Sequence, residues 1–325
     1  MFSAAVGGFI YYQSAGPSPG PAVATAGWYG AGYYLTPAAV LYSTVGRITF
    51  ATDTATATVR GPLSVERYAL GATGTLTYGW FGGGYVLSPA AAAISTVDRI
   101  TYTTDTATAS VRGPLTAGKY SVSGTSDGTT YGWMAGGYVP GTGRISTVDR
   151  ITYATDTATA TQRGSLATIL NGQGSTGDSN YGWYMGGYST AVETNVQRIT
   201  YATDTATASV RGPLVNFHFR SSATTDTIYG WVAGNSGNGY SSNVDRIIFA
   251  TDTATASVRG PLSSTSYFGA SSGDNTYGWF AISSVGSTFT TTITRITYAT
   301  DTAVSTNRGN MALSTRAIAG TSGSQ

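Results

Sequence analysis

The chain has 325 residues, a formal net charge of +2 and only 10% charged residues, against roughly 25% in an ordinary soluble domain. It contains no cysteine and one histidine, which excludes disulfides, thiolate chemistry and a histidine-rich metal centre. The 44 glycines, the 23 tyrosines and the abundance of Thr, Ser and Ala favour strands and tight turns over amphipathic helices. We therefore expect a folded, all-β protein.

Residues 1–26 form the first distinct segment of the chain. They include an apolar run and the triplet Ala24-Thr25-Ala26, which is similar to a signal-peptide cleavage site. A secretory signal starts with basic residues, whereas the first basic residue of this chain is Arg47. We therefore interpret residues 1–26 as an ordered N-terminal arm. No apolar stretch is long enough to span a bilayer, so membrane insertion is not expected.

After the arm, a pattern of about 50 residues recurs six times. Stretches close to "ITYATDTATASVRG" (199–212), each directly preceded by an Arg, place one Asp between two Arg, and these aspartates are 48 to 52 residues apart. Each repeat also contains one Gly-Trp pair, and four short strand signals per repeat are typical of propeller blades. The aspartates are Asp53, Asp105, Asp156, Asp204, Asp252 and Asp301, and the tryptophans are Trp28, Trp80, Trp133, Trp183, Trp231 and Trp279.

One repeat divides into four predicted strands, A to D. In the second repeat they are A (67–74), B (77–85), C (95–102) and D (107–115), the last one stopped by Gly-Pro. The first repeat begins at strand B, and "STRAIAGTSG" (314–323) matches strand A with no strand B after it. We predict an all-β, six-bladed propeller of four-stranded antiparallel blades over residues 27–325. In it, the C-terminal strand completes the first blade and closes the ring.

This arrangement resembles the Kelch repeat over residues 27–320. It has a short strand, an aromatic-rich strand that ends in a Gly doublet, a loop, and a strand that ends before a turn. It departs from the Kelch pattern because Val-Arg-Gly replaces the tryptophan of the outermost strand. The resemblance implies the fold but not the function, because Kelch propellers include both oxidases and binding modules. The near-identical copies and the composition also resemble repeat proteins of tailed marine and cyanobacterial bacteriophage virions.

The charges of each repeat suggest six active sites, six ion sites or six structural parts. Equal copies cannot all converge on one asymmetric catalytic centre. A calcium site needs roughly six to eight oxygens, and each turn offers one carboxylate. We therefore favour a structural role, in which each Asp caps the turn between strands C and D and the two Arg connect neighbouring blades.

Four further aspartates lie five or six residues before a tryptophan, in the turns between strands A and B. Because strand A is the innermost strand, they are expected to surround one mouth of the central channel. They either cap their own turns or together hold a cation. No other metal and no cofactor is expected. The four residues are Asp127, Asp178, Asp226 and Asp274.

The opposite rim carries the B–C and D–A loops, where the repeats differ most. The segment Phe217, His218, Phe219 and Arg220 combines the only His with two Phe and an Arg. Arg67 and Lys119 align with His218, just before their strands A, so we expect these basic groups to face the rim. Together they are candidates for binding a partner or a glycan. In the alternative interpretation, the two Phe pack on the inner strand and His218 is simply exposed.

The sequence contains no catalytic motif of the nucleophile-elbow or P-loop type. A glycosidase would need only a pair of carboxylates. The loop residues Glu66 and Glu193 are the candidates, but they lie in different blades and share no motif. The basic excess belongs to the repeats and does not form a patch, so nucleic-acid binding is not expected. We therefore expect a non-enzymatic protein.

The favoured hypothesis is an extracellular structural and binding protein of a phage virion: a tail-fibre, tail-tip or capsid decoration module. Its arm would dock on other virion proteins and its variable rim would bind a host-surface glycan. Several copies per particle, and hence a homo-oligomer, follow from that hypothesis. The alternative is a bacterial surface or secreted lectin-like propeller that binds glycans.

Overall fold

A computed structural model describes residues 24–35, 39–237, 239–285 and 288–322. Most of the expected N-terminal arm, residues 1–23, lies outside the described residues. The described chain forms six four-stranded antiparallel sheets, each ordered A, B, C, D from the centre outwards. Strands A of successive blades contact each other around a complete ring. The predicted six-bladed propeller is confirmed.

Each blade consists of four strands, which follow in the order A to D. Blade 1 has Ala319–Ser322, Ala26–Gly30, Val45–Thr49 and Thr58–Arg60. Blade 2 has Gly71–Gly74, Tyr78–Gly82, Val97–Thr101 and Ser110–Arg112. Blade 3 has Ser123–Ser126, Tyr131–Ala135, Thr147–Thr152 and Thr161–Ser165. Blade 4 has Gly174–Gly177, Tyr181–Met185, Val196–Thr200 and Ser209–Arg211. Blade 5 has Ser222–Thr225, Tyr229–Asn235, Ser241–Ile248 and Ser257–Arg259. Blade 6 has Ala270–Gly273, Tyr277–Ala281, Thr292–Thr297 and Thr306–Asn310.

Short elements complete the blades. A 3-10 turn follows each strand C, at Phe50–Thr52, Tyr102–Thr104, Tyr153–Thr155, Tyr201–Thr203, Phe249–Thr251 and Tyr298–Thr300. Small hairpins extend four of the B–C loops. They pair Tyr33–Leu35 with Ala39–Leu41, Tyr85–Val86 with Ala92–Ala93, Tyr138–Val139 with Gly143–Arg144, and Ser284–Val285 with Thr288–Phe289.

Blade 1 is built from both ends of the described chain. Its strand A, Ala319–Ser322, pairs antiparallel with its strand B, Ala26–Gly30, with Thr321 opposite Trp28. This confirms that a C-terminal strand closes the ring. Closure matters because it pairs strand B of blade 1, which would otherwise be an open edge at the centre, and leaves only the short outer edges of the blades.

The repeated Asp connects each blade to the one before it. In blade 2, Asp105 Oδ2 accepts a hydrogen bond of 2.8 Å from Trp28 Nε1 in blade 1. It also forms ion pairs with Arg47 at 3.1 Å and Arg60 at 3.5 Å. The same set joins blade 6 to blade 1, where Asp53 accepts from Trp279 and pairs with two arginines. All six carboxylates are buried.

The structural interpretation of the repeated charges is therefore confirmed in one respect and corrected in another. The arginines do connect the blades. However, the partners found for each carboxylate in the described chain belong to the preceding blade, so it is not a cap of its own turn. One indole N–H and two guanidinium groups together compensate for removing this carboxylate from water.

Aromatic stacking reinforces the same interfaces. Trp28 stacks on Tyr102 of the next blade with the ring centroids 3.8 Å apart and the planes within 9°. Trp279 stacks on Phe50 in the same way across the junction where the ring closes. All six tryptophans are buried in such pairs, so the strand B Trp is a core residue. Each pair buries a large apolar area at low cost in conformational entropy.

The glycine after each strand D arginine permits the close approach of two blades. Gly212 N–H donates to the Asp252 carbonyl at 2.8 Å, and a Cβ at Gly212 would lie 2.1 Å from Ala254 O. All six equivalent glycines have the same restriction, so backbone contact excludes any side chain there. They are Gly61, Gly113, Gly164, Gly212, Gly260 and Gly309.

A closed ring of backbone hydrogen bonds surrounds the axis at one mouth of the channel. The residue two positions before each strand A has a positive φ of 53 to 66°. Its N–H donates to the carbonyl of the equivalent residue in the preceding blade, at 2.6 to 3.0 Å. The left-handed conformation costs a non-glycine residue about 1–2 kcal/mol, and the inter-blade hydrogen bond offsets part of this cost. We call these residues the axial ring: Ala69, Ser121, Gly172, Arg220, Phe268 and Ala317.

We expect Gly212→Ala to lower the free energy of unfolding by about 2–4 kcal/mol, because the new methyl group would collide with a backbone carbonyl that cannot move alone. Gly46→Ala is the control, since its Cβ would make an ordinary contact of 3.6 Å with Ala57. Urea denaturation, monitored by tryptophan fluorescence, measures the free energy of unfolding of both variants. Equal stability of the two variants would contradict the close-approach explanation.

Asp204 allows a test of the inter-blade carboxylate. Burial acts to raise the pKa of Asp204, but hydrogen bonds from Arg163 and Trp133 and the charge of Arg150 outweigh it and lower the pKa. A carboxyl with a depressed folded-state pKa stabilises the protein fully above its unfolded pKa of roughly 3.9. That contribution is lost as the pH falls through the folded pKa.

We therefore expect Asp204→Asn to cost about 2–3 kcal/mol at pH 7, because two guanidinium groups lose their counter-charge. The difference from wild type should shrink below about pH 4. Asp226→Asn is the control, because an Asn oxygen can still accept the backbone hydrogen bonds of its turn. Chemical denaturation across pH 3–7 measures both variants, and a pH-independent difference would be evidence against this assignment.

Candidate functional site

Three consecutive residues before each strand A occupy three different environments. The first is buried inside the blade, the second lies at the rim, and the third belongs to the axial ring. The buried residues are Arg67, Lys119, Leu170, His218, Ser266 and Thr315. The rim residues are Tyr68, Tyr120, Asn171, Phe219, Tyr267 and Arg316. The differences between blades at these positions make the described inner rim asymmetric.

Arg67, Lys119 and His218 were expected to face the rim, and this prediction is wrong. All three side chains are fully buried, and so is the carboxylate that each one faces in strand C of its own blade. The pairs are Arg67–Asp98 at 3.1 Å, Lys119–Asp149 at 3.3 Å and His218–Asp245 at 3.4 Å. Burial lowers the pKa of Arg67 and of Lys119, and the neighbouring carboxylate opposes this shift. These residues are therefore paired groups of the blade interior and not rim residues.

His218 is held from both sides of its ring. Nδ1 lies 2.9 Å from the Gly234 carbonyl, and Nε2 faces Asp245 Oδ2. Burial acts to raise the pKa of Asp245, but the hydrogen bond and charge of His218 and the hydrogen bonds of Asn216 outweigh it and lower the pKa. The alternative expectation of an exposed His218 is therefore also wrong.

Blade 4 shows the uncharged form of the same arrangement. Leu170 replaces the base and Gln197 replaces the acid, and both are buried. Gln197 Oε1 accepts the Thr168 N–H at 3.0 Å, as Asp98 Oδ2 accepts the Ser64 N–H in blade 2. In both blades, the strand C side chain therefore holds the D–A loop through a hydrogen bond from the loop backbone. An ion pair is added only in blades that carry both the base and the acid.

The four aspartates of the A–B turns bind the backbone of their own turns. Asp127 Oδ1 accepts the N–H groups of Thr129, Thr130 and Tyr131, at 2.7 to 3.0 Å. Asp178, Asp226 and Asp274 cap their turns in the same way. This confirms the turn-cap interpretation. In the described part of the chain, no three acidic or histidine side chains come together to hold an ion, so the structure gives the cation hypothesis no support.

The segment Phe217–Arg220 is divided among several environments. Phe217 is 44% exposed, while the ring of Phe219 contacts that of Tyr188 in a tilted geometry, with the centroids 5.3 Å apart. The guanidinium of Arg220 lies over Phe219 at 4.7 Å and over Phe268 at 4.1 Å. Of the predicted binding residues, Phe219 and Arg220 are therefore at the inner rim, on the axis side of the blades.

Aromatic and arginine side chains form a belt around this mouth of the channel. On one side, Tyr33, Tyr68, Tyr85, Tyr120 and Tyr138 make successive ring contacts of 4.8 to 5.7 Å. On the other side, three arginines alternate with the rings. These arginine contacts are Arg144 over Tyr188, Arg220 over Phe219 and Phe268, and Arg316 over Tyr33, Tyr267 and Phe289.

The belt encloses a funnel of about 350 Å³, which we take as the candidate binding site. This volume is at the lower end of the range of small-molecule sites. The funnel meets the axial ring, beyond which a channel of about 100 Å³ is lined by residues of all six blades. The funnel lining comprises Tyr33, Tyr68, Ala69, Tyr120, Ser121, Arg220, Ser236, Tyr240, Tyr267, Phe268 and Arg316.

The funnel has cationic and neutral groups but no acidic residue among its described lining. Burial lowers the pKa of Arg220, and the like charge of Arg316 acts in the same direction. Burial raises the pKa of Tyr68 and of Tyr120, so both phenols remain neutral hydrogen-bonding groups at physiological pH. The site can therefore offer aromatic faces, hydroxyl groups and guanidinium donors to a ligand.

Fold and site define the protein as a six-bladed β-propeller with one asymmetric mouth. No family model matches the chain, and no curated protein matches it. Among the described residues, no helix is long and apolar enough to cross a membrane.

Exchanging the charged pair of blade 3 for the uncharged pair of blade 4 tests the role of the buried bases. Lys119→Leu alone should lower the free energy of unfolding by about 3–5 kcal/mol, because Asp149 is left buried without its counter-charge. Adding Asp149→Gln should restore most of the stability, since this recreates the Leu170–Gln197 combination. Denaturant unfolding of the three proteins measures this, and a double variant as unstable as the single one would contradict the pairing.

Proposed function

We propose that the protein is a non-enzymatic binding module that captures a surface glycan in the funnel of its variable rim. The observation that carries this proposal is the concentration of aromatic and guanidinium groups, most of them partly exposed, at one mouth of an otherwise repetitive ring. Sugar rings pack their C–H faces on aromatic side chains, and their hydroxyl groups pair with phenols and guanidinium groups. A rigid scaffold that varies only in its loops is typical of recognition proteins.

The same observations favour one central site over six equivalent sites. A multivalent lectin would need a sugar-binding aromatic in every blade, and the repeated Trp is buried in a stacked pair. The rim residues differ from blade to blade, with Asn171 and Arg316 in place of aromatic residues. The alternative of a lectin-like bacterial propeller is therefore best supported in a single-site form.

We further propose that the module is an external part of a phage virion, in a tail fibre, a tail tip or a capsid decoration. The resemblance of the near-identical Kelch-like repeats to virion repeat proteins supports this location. A closed ring, buried inter-blade charges and few lysines suit a protein that must resist proteases outside the cell. Residues 1–26 would dock the module on other virion proteins. Mass spectrometry of purified particles tests the location, and absence from them favours the bacterial alternative.

Binding to immobilised bacterial capsule and O-antigen polysaccharides tests the function. The paired substitutions Tyr68→Asn and Tyr120→Asn place the blade 4 rim residue in two other blades. They should weaken binding at least tenfold, because each removes an aromatic face worth about 1 kcal/mol or more. Ile228→Ala, an exposed residue of an A–B turn on the opposite rim, is the control and should bind like wild type. The proposal fails if no glycan binds, or if the two tyrosine substitutions leave binding unchanged.

A further inference from the structure

The funnel contains cations that form no ion pair with any acidic side chain of the described residues. The ion pairs of the described residues involve the twelve repeated arginines, Arg67, Lys119 and His218, but neither Arg220 nor Arg316. Every other arginine of the described chain, apart from Arg144 of the same belt, has a carboxylate partner. The arginines without a carboxylate partner in the described chain are therefore these two lining residues and Arg144, and all three belong to the belt.

Both guanidinium groups are fixed by aromatic contacts, which leave their edges available. Arg220 lies between Phe219 and Phe268, so its ring-facing surfaces are covered while its in-plane N–H groups remain to donate. Arg316 lies over Phe289 at 4.5 Å and donates to the Tyr267 hydroxyl at 2.5 Å. Its buried Nε has no hydrogen-bond partner in the described residues, a feature that it shares with most of the repeated arginines.

The backbone also directs Arg220 to the axis. It occupies the axial ring with φ of 56°, where the equivalent residues of most other blades are Ala, Ser or Gly. An arginine at this position therefore extends over the mouth of the channel, where a small side chain suffices for the fold. All six blades share the left-handed conformation at this position, but only blade 5 carries a long cationic side chain there.

We propose that the funnel binds an acidic saccharide, whose carboxylate or sulfate group is held by Arg220 and Arg316 while its sugar ring packs on the tyrosines. This inference rests on the proposed function and narrows it to a chemical class. Arginine is suited to the role because its planar, weakly hydrated fork pairs with oxyanions through two parallel hydrogen bonds. The saccharide is favoured over an acidic peptide because neutral phenols and serines form the remaining polar lining.

Isothermal titration calorimetry on the full chain tests the inference with defined probes. These are a glucuronic acid–N-acetylglucosamine disaccharide, its uncharged methyl ester, a 6-sulfated N-acetyllactosamine and hexaglutamate. We expect either anionic saccharide to bind at least tenfold more tightly than the ester, with affinity falling as salt increases. The tighter of the two identifies whether carboxylate or sulfate is the natural group.

The variants Arg220→Ala and Arg316→Asn use residues that other blades already carry at the same positions, so folding should be preserved. Each should weaken anion binding about tenfold and weaken binding of the methyl ester much less, because the ester keeps only the hydroxyl contacts of these arginines. Arg144→Gln, at the outer part of the belt, is the comparison and should have a smaller effect. Melting temperatures verify that every variant is folded.

The outcomes separate this inference from the broader proposal. If the ester binds as well as the acid and the arginine variants bind normally, the anion inference is overturned while glycan binding stands. If hexaglutamate binds as tightly as the saccharides with the same arginine dependence, the site recognises an acidic peptide and the inference is also overturned. If no saccharide binds, both fail.

Discussion

The buried carboxylate in each C–D turn is the interaction on which the ring depends. It accepts an indole N–H and two guanidinium groups from the preceding blade, so it joins two blades through three side chains at once. Because the same residues recur in every repeat, the last blade meets the first through an identical interface. A ring of six requires this consistency, since one mismatched junction would leave a buried charge without compensation.

The constraint also explains the low complexity of the repeats. The Asp, the two Arg, the Trp, the aromatic residue of the 3-10 turn and the Gly after strand D all contact a neighbouring blade. Gly309, for example, leaves no room for a side chain beside Ala55 O. A change at one such position alters a contact with another repeat, so these positions resist variation while the loops do not. Near-identity of the repeats is thus a consequence of packing, independent of any ligand.

Much of the fold followed from the sequence because its signals were periodic. The spacing of Asp53 and its equivalents predicted six blades, and the missing strand B after residue 323 predicted closure by the chain end. The binding residues were harder to predict because the period breaks there. His218 and Lys119 were assigned to the rim from their loop positions, yet their acids lie 27 and 30 positions further along in strand C. Only the folded blade brings these partners together.

The funnel tyrosines were missed for a related reason. Tyr68 and Tyr120 each follow a buried base directly, and 23 tyrosines in the chain made any two of them inconspicuous. Their significance comes from their place in the three consecutive residues before strand A, of which the first is buried, the second lies at the rim and the third belongs to the axial ring. This arrangement depends on the left-handed conformation of the third residue. That conformation sends the first side chain inwards and leaves the second at the mouth. The third residue forms the inter-blade hydrogen bond of the axial ring. One local backbone conformation therefore both connects the six blades around the axis and positions the residues of the funnel.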